Sequence, residues 1–310
     1  MTRPDAVSPV PARPLALCLL NPHAAGGRGA ALAPALQAAL HAADPALPPL
    51  QQPDSVAEAQ ARIAALAPGQ RVLLAGGDGT LQRLLPALVA GGHELLLLPC
   101  GTGNDLARAL GWHRAGWRGT LAACLHAPAR PMDLGTLCAD GGAPQWFASS
   151  LTAGFDAAVA QQAMRAPRWL RGMPRYLVAT LATLATLAPH RLALQADGQA
   201  LTGGEHLFAS VLNTPSYASG MPVAPGARID DGALDLVQAG RFGRLGALLA
   251  MPLLLAGWHA RHPRIRLSRC QRLEVQAEAP LPLALDGEPI APARRLQVAV
   301  APAALRVVRA

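Results

Sequence analysis

The sequence predicts an N-terminal α/β domain with a parallel sheet, followed by a C-terminal β-rich, mainly antiparallel sandwich domain. Continuous apolar strands alternate with helical stretches up to about residue 127, a pattern typical of a parallel sheet covered on both faces. After residue 128, short strands separated by turn dipeptides such as Asp197–Gly198 take over. With 310 residues, 51% of them hydrophobic, the chain is long enough for two cores.

In the first part, strands and helices follow one another in order. The predicted strands are "LALCLLN" (15–21), "RVLLAGG" (71–77) and "ELLLLPC" (94–100). The predicted helices are "GRGAALAPALQAALHAA" (27–43), "SVAEAQARIAAL" (55–66) and "TLQRLLPALVAGG" (80–92). Asp54 or Ser55 is expected to cap the second helix, because a side-chain oxygen there accepts a hydrogen bond from an unpaired N–H of the first turn.

In the second part, helical stretches at 156–188 and 243–259 interrupt a series of strands. The clearest strands are "QWFASSLTAG" (145–154), "HLFASVLNT" (206–214), "GALDLVQAG" (232–240), "LPLALDGEPI" (281–290) and "RRLQVAVAPAALRVV" (294–308). We therefore expect a first domain over residues 1–127, completed by the C-terminal segment 292–310, and a second domain over 128–291.

The charged composition restricts the chemistry. The 27 basic residues are all arginines, so a Walker-type phosphate loop and Schiff-base catalysis, which both need lysine, are excluded. The net charge of +8 favours an anionic partner, namely nucleic acid, an acidic membrane surface or a phosphorylated substrate, unless it reflects genome composition alone. Aromatic residues make up only 4% of the chain, which argues against base stacking on nucleic acid. Five scattered cysteines without metal-ligand spacing favour a reduced, cytoplasmic protein.

Three glycine-rich turns follow the three apolar strands: "NPHAAGGRG" (21–29), "LLAGGDGTLQ" (73–82) and "PCGTGNDLARALG" (99–111). In open α/β sheets, ligands bind at the carboxyl ends of the strands. Glycines there let main-chain N–H groups approach phosphates, and the following helix N-terminus favours negative charge. A single such loop could be a tight turn only, but three in order predict a polyphosphate site. Asp78 in the second turn suits a Mg²⁺ ion or a hydroxyl group better than a phosphate.

The same segments, in this order, resemble the catalytic domain of the diacylglycerol kinase-like lipid kinases, with NAD kinases as distant relatives that share "GGDGT". The resemblance continues through "TAGFDAAVA" (152–160), "NTPSYASGMPVAPGARIDDGALDLV" (213–237) and "LALDGEPI" (283–290), and so covers nearly the whole chain. It implies the fold shared by NAD kinases and diacylglycerol kinases, ATP as co-substrate, Mg²⁺ as cofactor and a lipid as acceptor.

The resemblance also implies which residues bind ATP. Asn21 would support the first loop, and the segment from Gly76 to Gln82 would wrap the phosphates. Its members are Gly76, Gly77, Asp78, Gly79, Thr80, Leu81 and Gln82. In the third turn, Gly101, Thr102 and Asn104 would complete the nucleotide site. The threonine that the family often has near its second helix is missing from "LPPLQQPDSVAEA" (47–59), so no residue is assigned there.

The segment "LDGE" supplies two carboxylates, Asp286 and Glu288, which we expect on the same side of a strand. The alternative is a hairpin turn, since Asp–Gly is a common turn dipeptide. Phosphoryl transfer to a hydroxyl needs a carboxylate to orient or deprotonate it. The resemblance implies that Glu288 accepts the proton while Asp286 and Asp78 manage Mg²⁺ and the acceptor hydroxyl. Which carboxylate is the base stays open.

The segment "ARIDDGALDL" (227–236) resembles a second, structural Mg²⁺ site of the bacterial family members. The matching positions are Arg228, Asp231 and Ala233, with the first and last acting through their carbonyl oxygens. An Asp–Gly turn with a solvated acid is the alternative.

Two basic segments favour peripheral contact with an anionic membrane. "MRAPRWLRGMPRY" (164–176) places four arginines around two aromatic residues. They are Arg165, Arg168, Arg171 and Arg175 around Trp169 and Tyr176. "GWHARHPRIRLSRCQR" (257–272) adds a second basic group. A solvated surface explains both segments equally well, and the apolar run at 176–188 is expected to be core rather than the wall of a lipid cleft.

These observations lead to one principal hypothesis and two alternatives. We expect an ATP- and Mg²⁺-dependent kinase of a lipid hydroxyl, cytoplasmic and peripherally associated with the membrane, with no nucleic-acid partner. A kinase of a soluble nucleotide such as NAD is one alternative, and a nucleotide-binding regulator without catalysis is the other. The intact acids Asp78, Asp286 and Glu288 argue against lost catalysis. The lipid itself and the oligomeric state stay open, with a homodimer as one option.

Overall fold

The computed structural model describes residues 13–167, 169–170, 173–201 and 203–309. The first part contains four strands, β1 (Leu15–Leu20), β2 (Leu50–Gln51), β3 (Arg71–Gly76) and β4 (Glu94–Pro99). Its helices are α1 (Ala24–Gly27), α2 (Gly29–Ala43), α3 (Val56–Ala64), α4 (Asp78–Ala90), α5 (Asp105–Ala109) and α6 (Gly116–Cys124). Ser55 caps α3 by accepting a hydrogen bond from the N–H of Glu58 at 3.1 Å.

The second part is built mainly from strands. They are β5 (Ala129–Ala139), β6 (Gln145–Phe147), β7 (Ser150–Ala153), β8 (His190–Ala196), β9 (Gln199–Ala200), β10 (Gly204–Leu212), β11 (Leu234–Gly240), β12 (Ile265–Cys270), β13 (Arg272–Leu285) and β14 (Glu288–Val308). Its helices are α7 (Phe155–Arg165), α8 (Met173–Leu184) and α9 (Arg244–Leu255), with a short 3₁₀ turn at His259–Arg261. The stretch predicted as helical at 156–188 is therefore two helices, α7 and α8.

The sheet order shows how the two parts are joined. Strands β2, β1, β3 and β4 lie side by side and pair in parallel. Beyond them the order continues β14, β13, β7, β10, β11 and β12, with antiparallel pairing. Strand β14 bridges the parts, since Val307 pairs in parallel with Leu95 of β4 while the same strand runs antiparallel to β13. The predicted α/β part and mainly antiparallel part are confirmed.

The parallel strands are buried on both faces, which explains their unbroken apolar sequences. A charged pair lies inside this part: the guanidinium of Arg71 on β3 donates to the carboxylate of Glu94 on β4 at 2.9 and 3.0 Å, and both side chains are buried. Arg71 also donates to the carbonyl oxygen of Ala127 at 3.1 Å. In the described part of the chain, no helix has the length and apolar character to cross a membrane.

Candidate active site

The glycine turns after β3 and β4 touch each other through their main chains. A Cβ atom added at Gly77 would lie 2.9 Å from the Cα atom of Gly101, and one added at Gly101 would lie 2.6 Å from the Cα atom of Gly77. Both distances are shorter than any non-bonded carbon contact in a packed protein. Only glycine at both positions allows this approach, and the result is a floor of exposed main chain at the carboxyl ends of the strands.

Two asparagines fix the conformation of these turns. The side-chain amide of Asn21 donates to Oγ1 of Thr80 at 2.7 Å, which links the first turn to the second. The side chain of Asn104 bonds both polar main-chain atoms of Gly101, at 2.9 and 2.8 Å. Asn104 has a φ of 53°, a left-handed conformation that asparagine tolerates better than most residues.

The carboxylate of Asp78 connects the second turn to the third. Asp78 is the first residue of α4, and it accepts hydrogen bonds from the N–H groups of Asp105 at 3.0 Å and Leu106 at 3.3 Å. Asp105 in turn accepts hydrogen bonds from the N–H groups of Ser219 at 3.2 Å and Gly220 at 2.9 Å, which belong to the second part of the chain. Burial raises the pKa of Asp78, and burial beside Asp78 raises the pKa of Asp105 to about 8.

Asp286 lies in a hairpin turn and not on a strand, so the predicted arrangement of Asp286 and Glu288 on one side of a strand is wrong. Leu285 pairs with Glu288, and the two residues between them have φ angles of 48° and 82°. This geometry is the two-residue turn that Asp–Gly favours. The Asp286 carboxylate accepts hydrogen bonds from three consecutive N–H groups, those of Ala148, Ser149 and Ser150, at 2.7 to 2.9 Å. Burial nevertheless raises the pKa of Asp286 to about 7.

Glu288, the first residue of β14, reaches across to the second glycine turn. A Cβ atom added at Gly79 would lie 2.4 Å from Oε1 of Glu288, so the glycine leaves the space that this carboxylate occupies. Nη2 of Arg83, one turn further along α4, donates to Oε2 of Glu288 at 2.8 Å. The hydroxyl of Tyr176 would be 3.4 Å from a Cβ atom at Gly287 and so lies beside the hairpin turn. Burial and nearby carboxylates raise the pKa of this tyrosine to about 12.

A cavity of about 680 Å³ runs between the two parts of the chain. Its glycine end is lined by Asn21, Gly77, Asp78, Gly79, Thr80, Gly101, Thr102 and Gly103. Asp286 and Glu288 also line it. Its apolar end is lined by side chains that include Phe155, Val159, Phe208, Met221, Phe242 and Leu254. Of the residues predicted to bind ATP, Gly76, Leu81, Gln82 and Asn104 are not on the cavity wall, and Leu81 is buried in the core.

Helices α8 and α9 form the outer wall of the apolar end. Ala179 and Leu184 of α8 belong to a hydrophobic core cluster, as predicted, while Tyr176, Thr180 and Leu184 also line the cavity. The opposite sides of both helices expose Val178, Leu181, Leu245, Leu248, Leu249 and Leu255, which we call the apolar face. Leu245 is 69% exposed and Leu249 is 67% exposed. Of the four predicted arginines around Trp169, Arg168 and Arg171 lie outside the described residues.

The acids at the glycine end are compatible with a magnesium ion that arrives with a nucleotide. Mg²⁺ commonly binds one or two carboxylates together with substrate phosphates, and not a cage made by the protein alone. Within the described ranges, no group of three or more acidic, histidine or cysteine side chains forms such a cage. Asp78 and Asp286 have raised pKa values because burial disfavours their charged forms, and a cation beside them would offset that effect.

The loop predicted to bind a structural Mg²⁺ contains a different arrangement. The carboxylate of Asp231 pairs with the guanidinium of Arg269 on β12. Asp230, the neighbouring acid, accepts a hydrogen bond from Arg309 at 3.1 Å. A cation held by Asp231 and the carbonyl oxygens of Arg228 and Ala233 would have to displace Arg269. With Arg269 paired to Asp231, these residues do not fit a Mg²⁺ ion. The structural Mg²⁺ site stays a prediction.

Sequence reasoning missed several side chains that line the cavity. Arg83, Asp156, Tyr176 and Tyr217 received no role in the site, although all four lie on its wall. Asp156 and Tyr217 stand within the motifs "TAGFDAAVA" and "NTPSYASGM". The sequence did contain a signal for Asp156, which is a charged residue in an otherwise apolar motif. A carboxylate in such surroundings requires hydrogen-bond partners.

Comparison with known proteins finds a family match for each part of the chain. Residues 15–137 match the diacylglycerol kinase catalytic domain, and residues 149–309 match the YegS C-terminal NAD kinase beta sandwich-like domain. A protein named diacylglycerol kinase from Mycobacterium tuberculosis is 31% identical over 79% of each chain. One named "Probable lipid kinase YegS-like" from Pseudomonas aeruginosa is 34% identical over 78% of each chain.

The fold is also found in a solved structure. A crystal structure titled as a diacylglycerol kinase from Bacillus anthracis strain Sterne superposes with a TM-score of 0.67, covers 97% of each chain and is 18% identical. At that identity the likeness concerns the fold alone. The family of this chain is established by the two domain matches and by the sequence relatives. This chain belongs to the diacylglycerol kinase-like family of lipid kinases, which are ATP-dependent phosphotransferases.

Proposed function

We propose that this lipid kinase transfers the γ-phosphate of ATP to a hydroxyl group of a diacylglycerol-like or sphingoid-like lipid, in a reaction that depends on Mg²⁺. The observation that carries the proposal is the continuity of one cavity. It joins an end lined by the glycine turns to an apolar end, and Asp286 and Glu288 line the same cavity.

The glycine end suits a triphosphate. Main-chain N–H groups and the N-terminus of α4 attract anions without any lysine side chain. The contact between Gly77 and Gly101 and the bond between Asn21 and Thr80 hold the three turns as one surface. A preorganised surface of this kind contributes to phosphoryl transfer by positioning the phosphates.

Glu288 is the proton acceptor in this proposal, because it is the carboxylate that reaches over the second glycine turn. Arg83 orients it through the hydrogen bond to Oε2, which leaves Oε1 for the lipid hydroxyl. Asp286 has a positioning role, since its carboxylate already accepts three main-chain hydrogen bonds and fixes the hairpin that carries Glu288. A Mg²⁺ ion held near Asp78 would neutralise charge on the phosphates.

The apolar end favours a lipid over a soluble nucleotide as the acceptor. Its wall is built mainly from aliphatic, aromatic and methionine side chains, which would leave most polar groups of a second nucleotide without partners. Burial of apolar surface contributes about 25 cal/mol per Å², so acyl chains gain from entering this space.

We further propose that the apolar face docks on an anionic membrane. It lies on the outer sides of the two helices that wall the cavity, so a lipid could pass between bilayer and cavity over a short distance. Arg244 is the first residue of α9, and Arg261 ends the 3₁₀ turn that follows the helix. The guanidinium of Arg261 lies over the ring of the half-exposed Trp258 at 5.2 Å. Arginine beside exposed tryptophan and leucine is typical of interfacial attachment.

The function is tested by phosphate transfer from labelled ATP in mixed micelles that contain Mg²⁺ and either diacylglycerol, ceramide or sphingosine, with NAD in a parallel reaction. We expect label in lipid and none in NAD. Ala250→Trp, which fills part of the apolar end, should lower lipid turnover at least tenfold while leaving the affinity for a fluorescent ATP analogue unchanged. Ala38→Trp, on the exposed side of α2, is the matched control. Label in NAD alone would overturn the proposal.

Membrane docking is tested by flotation with vesicles that contain phosphatidylglycerol. The double variant Leu245→Glu and Leu249→Glu should float about tenfold less than the unchanged protein, because it places two charges in the docking surface. The control is Ala31→Glu with Ala38→Glu, which adds the same charge on exposed positions of α2. Equal flotation of the two double variants would contradict docking through α9.

A further inference from the structure

Three polar side chains form a cluster in the wall of the cavity: Asp156 of α7, Ser210 of β10 and Tyr217 of the following loop. The hydroxyl of Tyr217 donates to Oδ2 of Asp156 at 2.7 Å, and the hydroxyl of Ser210 donates to the same oxygen at 3.0 Å. Asp156 and Tyr217 both line the cavity. None of the three contributes to the phosphate floor or to the hairpin that carries Glu288.

The cluster lies where the acids meet the apolar end. Ala157, the residue after Asp156, packs against Ala284, two residues before Asp286. On the other side, Ser219, two residues after Tyr217, donates its N–H to the carboxylate of Asp105. Through the chain, the cluster is thus connected to the hairpin that contains Asp286 and to Asp105, which lies beside Asp78. Asp156, Tyr217 and Glu288 line the same cavity, so a lipid with its reactive hydroxyl at Glu288 shares that space with the cluster.

The chemistry of the cluster calls for a further hydrogen-bond donor. Burial raises the pKa of Asp156 to about 6, so the carboxylate is largely ionised at neutral pH. An ionised carboxylate in the wall of a largely apolar cavity is stabilised when hydrogen-bond donors surround it. Both donors that the described residues supply reach Oδ2, and none of them reaches Oδ1.

We propose that Asp156, held by Ser210 and Tyr217, is a specificity-determining residue that accepts a hydrogen bond from a donor group next to the reactive hydroxyl of the lipid. Such a donor is a second hydroxyl, an amide N–H or an ammonium group. The inference rests on the proposed function, because it concerns the acceptor of that reaction. It names the acceptor class more closely: a sphingoid-type lipid carries such donors, whereas the two ester groups of a diacylglycerol offer acceptors only.

The expected discrimination is substantial. A site built to hydrogen-bond a substrate group rejects an analogue without it, since the buried site group is then left unpaired. For a bond to a charged group, this corresponds to a preference of about tenfold to a hundredfold. The hydroxyls of Ser210 and Tyr217 keep Oδ2 occupied, so Oδ1 is the atom that distinguishes the two lipid types.

The test compares kcat/KM for ceramide and diacylglycerol of equal chain length in the same mixed micelles. The unchanged enzyme should prefer ceramide at least tenfold. The double variant Asp156→Leu with Tyr217→Phe removes the acceptor and its principal donor together, and only the hydroxyl of Ser210 loses its partner. We expect its preference to fall to about one, with KM for ATP nearly unchanged and the unfolding temperature lowered by a few degrees through the unpaired hydroxyl of Ser210. Phe208→Leu, another change in the cavity wall, should affect both lipids equally and keep the preference.

The outcomes separate this inference from the proposed function. If the unchanged enzyme phosphorylates no lipid, the proposed function itself fails. If it phosphorylates both lipids without preference, or if the double variant lowers both activities by one factor, the inference fails and the function stands. Should the double variant not fold, Tyr217→Phe alone provides the same readout, with an expected two- to fivefold reduction of the preference as one supporting bond is lost.

Discussion

The two ends of the cavity are built in different ways. At the glycine end the binding surface is main chain, and its parts come from three contiguous segments that follow parallel strands. At the apolar end the surface is made of side chains from α7, α8, β10, α9 and the loops between them. At the glycine end, a residue larger than glycine would collide with neighbouring atoms. At the apolar end, a single substitution can change which lipid fits. In the proposed function, the phosphate donor would therefore be recognised by backbone geometry and the acceptor lipid by side chains.

The largest expected effect concerns the parallel sheet that carries the glycine end, at the start of β3 and β4. Arg71→Met leaves Glu94 buried with only the more distant guanidinium groups of Arg13 and Arg306, at 3.7 and 3.5 Å. Breaking a buried ion pair typically costs about 3–5 kcal/mol, and the remaining arginines place this case near the lower value. Denaturant unfolding followed by circular dichroism measures it.

The control for that comparison lies in the second part of the chain. Arg191 and Glu278 are 3.9 Å apart and largely exposed, so Arg191→Met should change the free energy of unfolding by less than about 1 kcal/mol. If both arginine variants lose the same free energy of unfolding, the buried ion pair of the first part contributes no more to stability than the exposed pair of the second part.

The next effect is on catalysis. Gly79→Ala places a methyl group where Oε1 of Glu288 lies, and the flexible carboxylate must move away. Alanine is a better helix former than glycine, so stability should stay level or rise slightly. We expect kcat to fall about a hundredfold, as for the loss of a positioned proton acceptor. Gly226→Ala, where an added Cβ atom meets nothing within 4 Å, is the control. Full turnover of Gly79→Ala would mean that Glu288 does not act from its observed position.

A smaller effect is expected on pH-dependent stability at the apolar end. The pKa of Asp156 is about 6 in the folded protein and 3.8 as its ordinary value. Between these values the folded state keeps a proton that the unfolded state has lost, so this contribution to stability is full below pH 3.8 and is lost as pH rises to 6 and above. Ser210 and Tyr217, which bond this carboxylate, stay neutral in that range.

This linkage is measured by thermal unfolding at pH 5 and pH 7 for the unchanged protein and for Asp156→Asn. The unchanged protein should lose about 2–4 °C more than the variant over that interval. Parallel curves for the two proteins would show that Asp156 does not titrate in this window.

The smallest effect is expected at Asp231. Because Arg269 already pairs with this carboxylate, a chelator should change the unfolding temperature by less than about 1 °C. In Arg269→Met the acid is released, and added Mg²⁺ should then stabilise the protein measurably. A loss of several degrees on chelation of the unchanged protein would instead support the structural Mg²⁺ site predicted from the sequence.

The same contrast explains what the sequence could and could not predict. Parallel strands, glycine turns and the cap at Ser55 are local patterns, so the fold class and the three turns followed directly. The predicted position of Asp286 on a strand was wrong, because the spacing of Asp286 and Glu288 does not distinguish a strand from a two-residue turn. The pairing of Arg83 with Glu288 joins residues 205 positions apart, and the cluster around Asp156 joins three separate segments. No local pattern encodes such contacts.

The central claim is that one cavity holds the phosphate donor at its glycine end and the lipid at its apolar end. A structure of the protein with a non-hydrolysable ATP analogue, Mg²⁺ and a short-chain ceramide tests it most directly. We predict the phosphates against Gly77, Gly79 and Gly101, the reactive hydroxyl beside Glu288, and the acyl chain among Phe155, Phe208 and Phe242. An adenine ring in the apolar end, or a lipid bound outside the cavity, would contradict the account.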